Sequence, residues 1–208
     1  MSQPRLGSVE SGAGRSEPIL PGSELVVKGE RLRGELTKIL IDGVEFTPAP
    51  QDVAETKILL SVPTTLRPGI RALQVLHELS IGTPSSPHRG VESNVAPFVL
   101  HPVISAPASA HAQVAVTFSP KVGRAQRVKL LLGETPVPAD RVARGYAINA
   151  PANNGITAAD QLDTDTIAFS LESIATGNYL VRAQVDGAES VLQTDTGGNF
   201  IGPKLEVL

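Results

Sequence analysis

Asp195-Thr196-Gly197 is the most pointed chemical signal in the chain, because that tripeptide carries the catalytic carboxylate of aspartic proteases, and Val191-Leu192 precedes it here. The chemistry needs two aspartates close enough to share one proton. The chain holds one copy, and 11 residues follow Gly197. The spacing therefore predicts a hairpin turn, with Asp195 as a turn residue.

The remaining candidates are weaker. Asp160, Asp163 and Asp165 could offer hard oxygen ligands to calcium, but the alternating ligands, central glycine and terminal glutamate of an EF-hand are absent, so a solvated acidic loop is expected. His77, His88, His101 and His111 are spread over separate elements without the close pairing of zinc sites, which predicts surface or loop positions. Ser85, Ser86, His88 and Glu92 have the residue types of a hydrolase, yet no Gly-x-Ser-x-Gly elbow occurs anywhere. Neither a Gly-x-Gly-x-x-Gly nor a Walker pattern is present to cradle phosphate. No catalytic, cofactor-binding or metal-ligating residue is assigned, and the chain is expected to be non-enzymatic and free of cofactors.

The elements that would position these residues read as strands. Glu24 to Lys28 ends at Gly29, and Thr37 to Ile41 runs into Asp42-Gly43, a dipeptide suited to the positive φ of a tight hairpin, with Val44 to Phe46 returning. Lys57 to Val62 closes at Pro63, and Arg67-Pro68-Gly69 turns the chain into Ile70 to Leu79, where period 2 mixes with helical spacing. A polar loop is expected from Gly82 to Asn94, followed by Val95 to Leu100, in which Pro97 argues for an edge strand or a strand start.

The second half repeats this order. Val114 to Phe118 answers the first strand, Arg127 to Leu132 the second, Thr166 to Leu171 answers Lys57 to Val62, and Tyr179 to Val185 follows the Thr176-Gly177-Asn178 turn. The halves differ mainly by Ala143 to Asp165, which carries Asn154-Gly155, lacks a sustained period and reads as a long loop available for contact. The pattern predicts an all-β chain of two tandem immunoglobulin-like β-sandwich domains, a flexible leader over 1–16, a first sandwich over 17–102 and a second over 103–208 with the insertion at about 143–165.

Composition agrees and excludes several classes. Aromatic residues are 3% and tryptophan is absent, so the cores must be aliphatic, while 19 Gly and 17 Pro suit turns and strand edges better than helices. With no cysteine there is no disulfide pin and no thiolate chemistry. A net charge of −3 with scattered Lys and Arg leaves no basic footprint for nucleic acid, and no apolar run is long enough to predict membrane insertion. The polar N-terminus has no apolar signal segment, from which cytoplasmic assembly is expected.

PILPGSELVVKGERLRGELTKILIDG resembles the start of IPT/TIG members of the Ig-like class, with Gly29 and Gly34 at the small turn positions. VPTTLRPGIRALQVLHE together with HRGVESNVAPFVLHPVI resembles the C-terminal Ig-like extension of the cap, or tail-terminator, proteins of extracellular contractile injection systems. The residues carrying the likeness are Pro63, Leu66, Pro68, Gly69, Leu73, Gln74, Val75, Arg89, Gly90, Glu92, Ser93, Asn94, Phe98, Val99, Leu100 and Pro102. The resemblance implies a structural accessory module of a phage-tail-like particle, either released or anchored at an envelope. Its expected partners are other particle subunits (cap, sheath, tube) or an envelope component. The ring-forming domain of that family has no counterpart here, so the isolated region is expected to be monomeric and the full-length parent a ring oligomer. A carbohydrate- or cell-surface-binding Ig-like module is the alternative.

Overall fold

The computed structural model describes residues 3–84 and 86–208, and these form β-sheets of mostly antiparallel strands packed as sandwiches. Met1, Ser2 and Ser85 lie outside the described residues, and with Ser85 goes one member of the Ser85/Ser86/His88/Glu92 group. The chain divides into two compact units, one of residues up to Pro63 with Ile70–Leu100, the other of Thr64–Gly69 with His101–Leu208.

The first unit contains β1 (Arg5–Ser11), β2 (Glu24–Glu30), β3 (Leu36–Ile41), β4 (Val44–Phe46), β5 (Lys57–Ser61), β6 (Gly69–Ile81), β7 (Ser86–Glu92) and β8 (Ala96–Leu100). One sheet has the order β1-β2-β5, and the other β4-β3-β6-β7 with β8 also on β6. Alternation sets which side chains go inward: Leu25 and Val27 of β2 and Ile58 of β5 are fully buried, as are Ile39 and Ile41 of β3 and Leu73 and Val75 of β6. The β3-β4 hairpin closes on Asp42 and Gly43 at φ of 51° and 82°, left-handed values that Asp tolerates and Gly adopts freely.

The second unit contains β9 (Val103–Ser105), β10 (Ser109–Ala110), β11 (Gln113–Gly123), β12 (Val128–Glu134), β13 (Gly145–Asn149), β14 (Asp163–Ser170), β15 (Gly177–Val185), β16 (Ala188–Glu189), β17 (Gln193–Thr194), β18 (Phe200–Gly202) and β19 (Lys204–Val207). Its small sheet runs β14-β11-β9, and its large sheet β10-β19-β15-β12-β13 with β16 on β15. The orders correspond in part to those of the first unit, with β9, β11 and β14 in the places of β1, β2 and β5, and β13, β12 and β15 in the places of β4, β3 and β6. Val114, Val116 and Phe118 on β11 share a core with Leu130, Leu132, Val181 and Val185 that also holds Phe169 and Tyr179. From Gln113 to Val122 exposed and buried residues alternate strictly along β11, as expected for a strand with one face on a core.

Three expectations are corrected. The leader over 1–16 is not flexible along its length: Arg5–Ser11 is β1, in antiparallel register with β2 from Arg5 opposite Glu30 to Ser11 opposite Leu25. Leu6 and Ser11 are buried there, and Glu10 accepts a hydrogen bond from Lys28 at 2.7 Å. The polar stretch Gly82 to Asn94 is mostly β7, paired with β6 from Leu76–Glu92 to Ile81–Ser86. The stretch Ala143 to Asp165 is not a long loop but β13, a 3-10 turn at Ala152–Gly155 and the start of β14. In each case backbone pairing, which polar residues satisfy as well as apolar ones, forms a strand with one sheet neighbour.

Candidate functional site

The sequence leads resolve into structural roles. The Asp195 carboxylate accepts from the backbone N–H of Gly197 (2.8 Å) and Asn199 (2.9 Å) and from the Asn199 side chain, closing the β17-β18 hairpin. Those donors, the Asn199 side chain foremost, hold its carboxyl below the usual aspartate range. This is the carboxylate of a turn, with its oxygens already occupied.

Asp163 pairs with Arg67 at 2.6 Å, while Asp165 accepts from Thr166 and Asp160 is exposed. Among the described residues no three acids or histidines are grouped to hold a metal ion. Ser86 Oγ lies 3.2 Å from His88 Nε2 on exposed β7, but Glu92 is turned to Arg89 at 2.6 Å instead of backing the imidazole.

The histidines depart from expectation. His111 and His88 are exposed, but His77 is 3% exposed, inside the first unit, with Nε2 3.1 Å from the carbonyl oxygen of Leu32. Gly34 makes the room: a Cβ there would come within 2.7 Å of the His77 ring. His101 Nδ1 lies 2.7 Å from the Glu189 carbonyl oxygen.

Three arrangements that residue spacing did not disclose shape the surface of the second unit. At one end, Glu134 closes β12 with a carboxylate whose side chain is 9% exposed. It accepts from both guanidinium nitrogens of Arg141 and from the backbone and side chain of Arg144. These bonds, Arg141 first, hold the Glu134 carboxyl far below the ordinary carboxylate range, and the same contacts raise both arginines. Bidentate charge-assisted bonds fix orientation as well as distance, so the loop between Glu134 and Arg144 is held at both ends. It carries Val137 and Val142, 74% and 89% exposed.

Beside it, Tyr179 is fully buried, with its ring edge-on to Tyr146 at 5.8 Å between centroids and 70° between planes. Burial raises its phenol above the ordinary value. Its hydroxyl is bonded to the turn before β15. The motif Thr176-Gly177-Asn178-Tyr179, a glycine turn running into a tyrosine, is the sequence signal that points to this anchor.

At the opposite end of β12 the 3-10 turn supplies Asn154, buried, whose Nδ2 donates to the carbonyl oxygens of Gly123 (2.8 Å) and Gln126 (3.0 Å). Asn153 and Asn154 both stand at φ of 55°, a left-handed conformation that asparagine accepts. This turn and the Arg124 to Lys129 segment border an open groove of about 380 Å³. A neighbouring depression of about 510 Å³ shares Arg127 and Lys129 with it.

A family model described as Domain of unknown function (DUF8756) matches residues 97–207. No curated protein matches the chain. Among solved structures, it is similar to the surface glycan-binding protein PbSGBP-B from Prevotella bryantii, at 12% identity and a TM-score of 0.43, over 91% of this chain and 41% of that one. It is also similar to the gamma-CGTase from Alkalophilic bacillus clarkii, at 14% identity and a TM-score of 0.35, over 100% of this chain and 27% of that one. Dimeric latent PorU from Porphyromonas gingivalis aligns at 13% identity and a TM-score of 0.32, over 100% of this chain and 20% of that one. The chain spans less than half the length of each of these three. With just over half of its residues matched, including all of β9 to β19, the chain belongs to the DUF8756 family.

Proposed function

We propose that the chain is a non-catalytic interaction module, an accessory structural part of a phage-tail-like contractile injection particle that presents preformed loops to neighbouring subunits or to an envelope. The observation that carries the interaction reading is the loop between Glu134 and Arg144. A solvent-facing loop with Val137 and Val142 exposed loses less conformational freedom on docking when its ends are already fixed by Glu134. The particle assignment draws its support from the sequence likeness around Pro63 to Val75 and Arg89 to Pro102. Of those residues, Leu66, Leu73, Val75, Ser93, Phe98 and Leu100 are buried, so the likeness is one of framework.

The test is localisation. Contractile particles purified from the source cells and labelled with antibody against this chain should carry label at the cap end, and Val137→Asp with Val142→Asp should lower the amount of chain per particle without shifting its thermal midpoint. Particles that lack the chain, or carry it elsewhere, refute the assignment.

A carbohydrate-binding reading is the second, favoured by one observation: the groove at the Asn154 end of β12 combines cationic side chains with carboxamides, the donors and acceptors that sugar hydroxyls use.

A further inference from the structure

We infer that the groove bordered by Arg124, Arg127, Lys129, Asn149 and Asn153 is a binding site for an anionic saccharide, a sugar chain bearing carboxylate or sulfate groups. The inference rests on the carbohydrate-binding reading and specifies its ligand class.

Arg127 and Lys129 alternate with buried Val128 and Leu130, so both project from the outer face of the sheet. Neither side chain has an ion-pair or hydrogen-bond partner among the described residues. The acid that lines the surrounding depression is Asp186, opposite Arg127 just past the end of β15. Its carboxylate oxygens are taken up by the Arg127 backbone N–H at 2.9 Å and the Gln126 carboxamide at 2.8 Å. The local acid therefore supports the turn and makes no direct ion pair with the Arg127 guanidinium. The third cation, Arg124, donates to the Ala158 carbonyl oxygen at 2.9 Å, which anchors it at the groove wall.

The polar groups beside these cations decide the ligand class. Asn149 lies directly opposite Lys129 on β13, and Gln184 directly opposite it on β15, so the ammonium is flanked on both sides by carboxamides. Asn153 is exposed on the 3-10 turn across the groove. Carboxamides both donate and accept, which matches hydroxyls, whereas the cations match a carboxylate or sulfate. The groove and the adjoining depression, about 380 and 510 Å³, are each in the range of small-ligand sites. Because they share Arg127 and Lys129, a chain of several sugars could cross both.

The test uses the full chain and three probes in low salt: sodium polygalacturonate, dextran sulfate and uncharged dextran, with poly-glutamate as a non-saccharide polyanion. Binding is followed by calorimetry and by amide chemical shifts. Binding to either anionic polysaccharide, absent with dextran and weaker with poly-glutamate, is the expected result, with shifts centred on Arg124 to Lys129 and Asn149 to Asn153. Arg127→Gln with Lys129→Gln should weaken it about tenfold, since two exposed charge contacts are worth roughly half a decade each. Lys57→Gln, which removes a charge from β5 of the first unit, should leave it unchanged. Equal binding of poly-glutamate, or equal loss with Lys57→Gln, reduces the effect to general charge attraction and overturns the inference. Binding of uncharged dextran alone overturns it while keeping the carbohydrate reading, and no binding to any polysaccharide overturns both.

Discussion

The hydroxyl of Tyr179 donates to the carbonyl oxygen of Ala175 at 2.7 Å, tying the first turn of β15 back to the segment that leads into it. Gly177, at φ of 145°, lets the chain reverse tightly enough for this bond, and the Tyr146 hydroxyl receives the Ala175 N–H at 3.4 Å. In a unit with no disulfide, this corner fixes where the central strand β15 begins.

Tyr179→Phe keeps the buried ring and leaves the Ala175 carbonyl without its donor. It should destabilise the protein by about 1–3 kcal/mol. The urea midpoint should fall with an unchanged denaturant slope. Tyr146→Phe, which loses only the long bond at a half-buried ring, should cost less. Equal effects from the two would show that the corner bond is not the larger contributor.

Asn154→Asp places a carboxylate against the Gly123 and Gln126 carbonyl oxygens, turning two donated bonds into repulsions. Asn154→Gly keeps access to the left-handed backbone and removes the bonds without adding charge. Both should lose about 1–3 kcal/mol at neutral pH, with Asp the worse. Titrating the Asp variant to low pH should recover part of its deficit relative to Gly, by thermal melts at matched pH values. A deficit that does not narrow contradicts the charge-repulsion account.

Glu134 makes stability depend on acid in a defined direction. Its folded-state carboxyl titrates far below the ordinary 4.5 because of Arg141 and Arg144, so its contribution is complete above that ordinary value. It shrinks as pH falls below 4.5 and disappears only below the depressed folded value. The stability gap between the native protein and Glu134→Gln should accordingly be larger at pH 7 than at pH 3 in urea titrations. A gap that stays constant would mean that the cage acts through geometry alone.

Gly34→Ala should strain the first unit, because the added Cβ would stand 2.7 Å from the buried His77 ring. A loss of about 1–3 kcal/mol is expected. His77→Ala should relieve it, so that the double variant is more stable than the sum of the single losses predicts. Additive losses would place the strain elsewhere.

Strands that bury an apolar stripe were legible before any coordinates. Leu25 and Val27, Ile39 and Ile41, Val114 to Phe118, and Tyr179 to Val185 announce their period, and the repeated strand order follows from them. The polar edge strands β1, β7 and β13 were not. β7 reads Ser-Pro-His-Arg-Gly-Val-Glu and holds its place by backbone pairing to β6, which leaves no hydrophobic signature. β13 was partly readable, since Tyr146 and Ile148 stand two apart, but the polar residues around them hid the pattern. His77 was misjudged because its burial depends on Gly34, distant in sequence. The Glu134 cage and the Arg127–Lys129 groove arise where a loop or a neighbouring strand returns, a closeness that spacing along the chain does not encode.

The position of β19 imposes an order on the assembly of the second unit. Lys204–Val207 lies between β15 and β10, antiparallel to one and parallel to the other, with Ser109 opposite Glu206. β10 and β19 come from opposite ends of the second unit, so neither finds its partner while the ribosome is still translating the residues between them. Every strand of the first unit has by then left the exit tunnel. During translation the second unit's large sheet must therefore wait with one flank of β15 open, and that interval is when holdase chaperones would have most to shield.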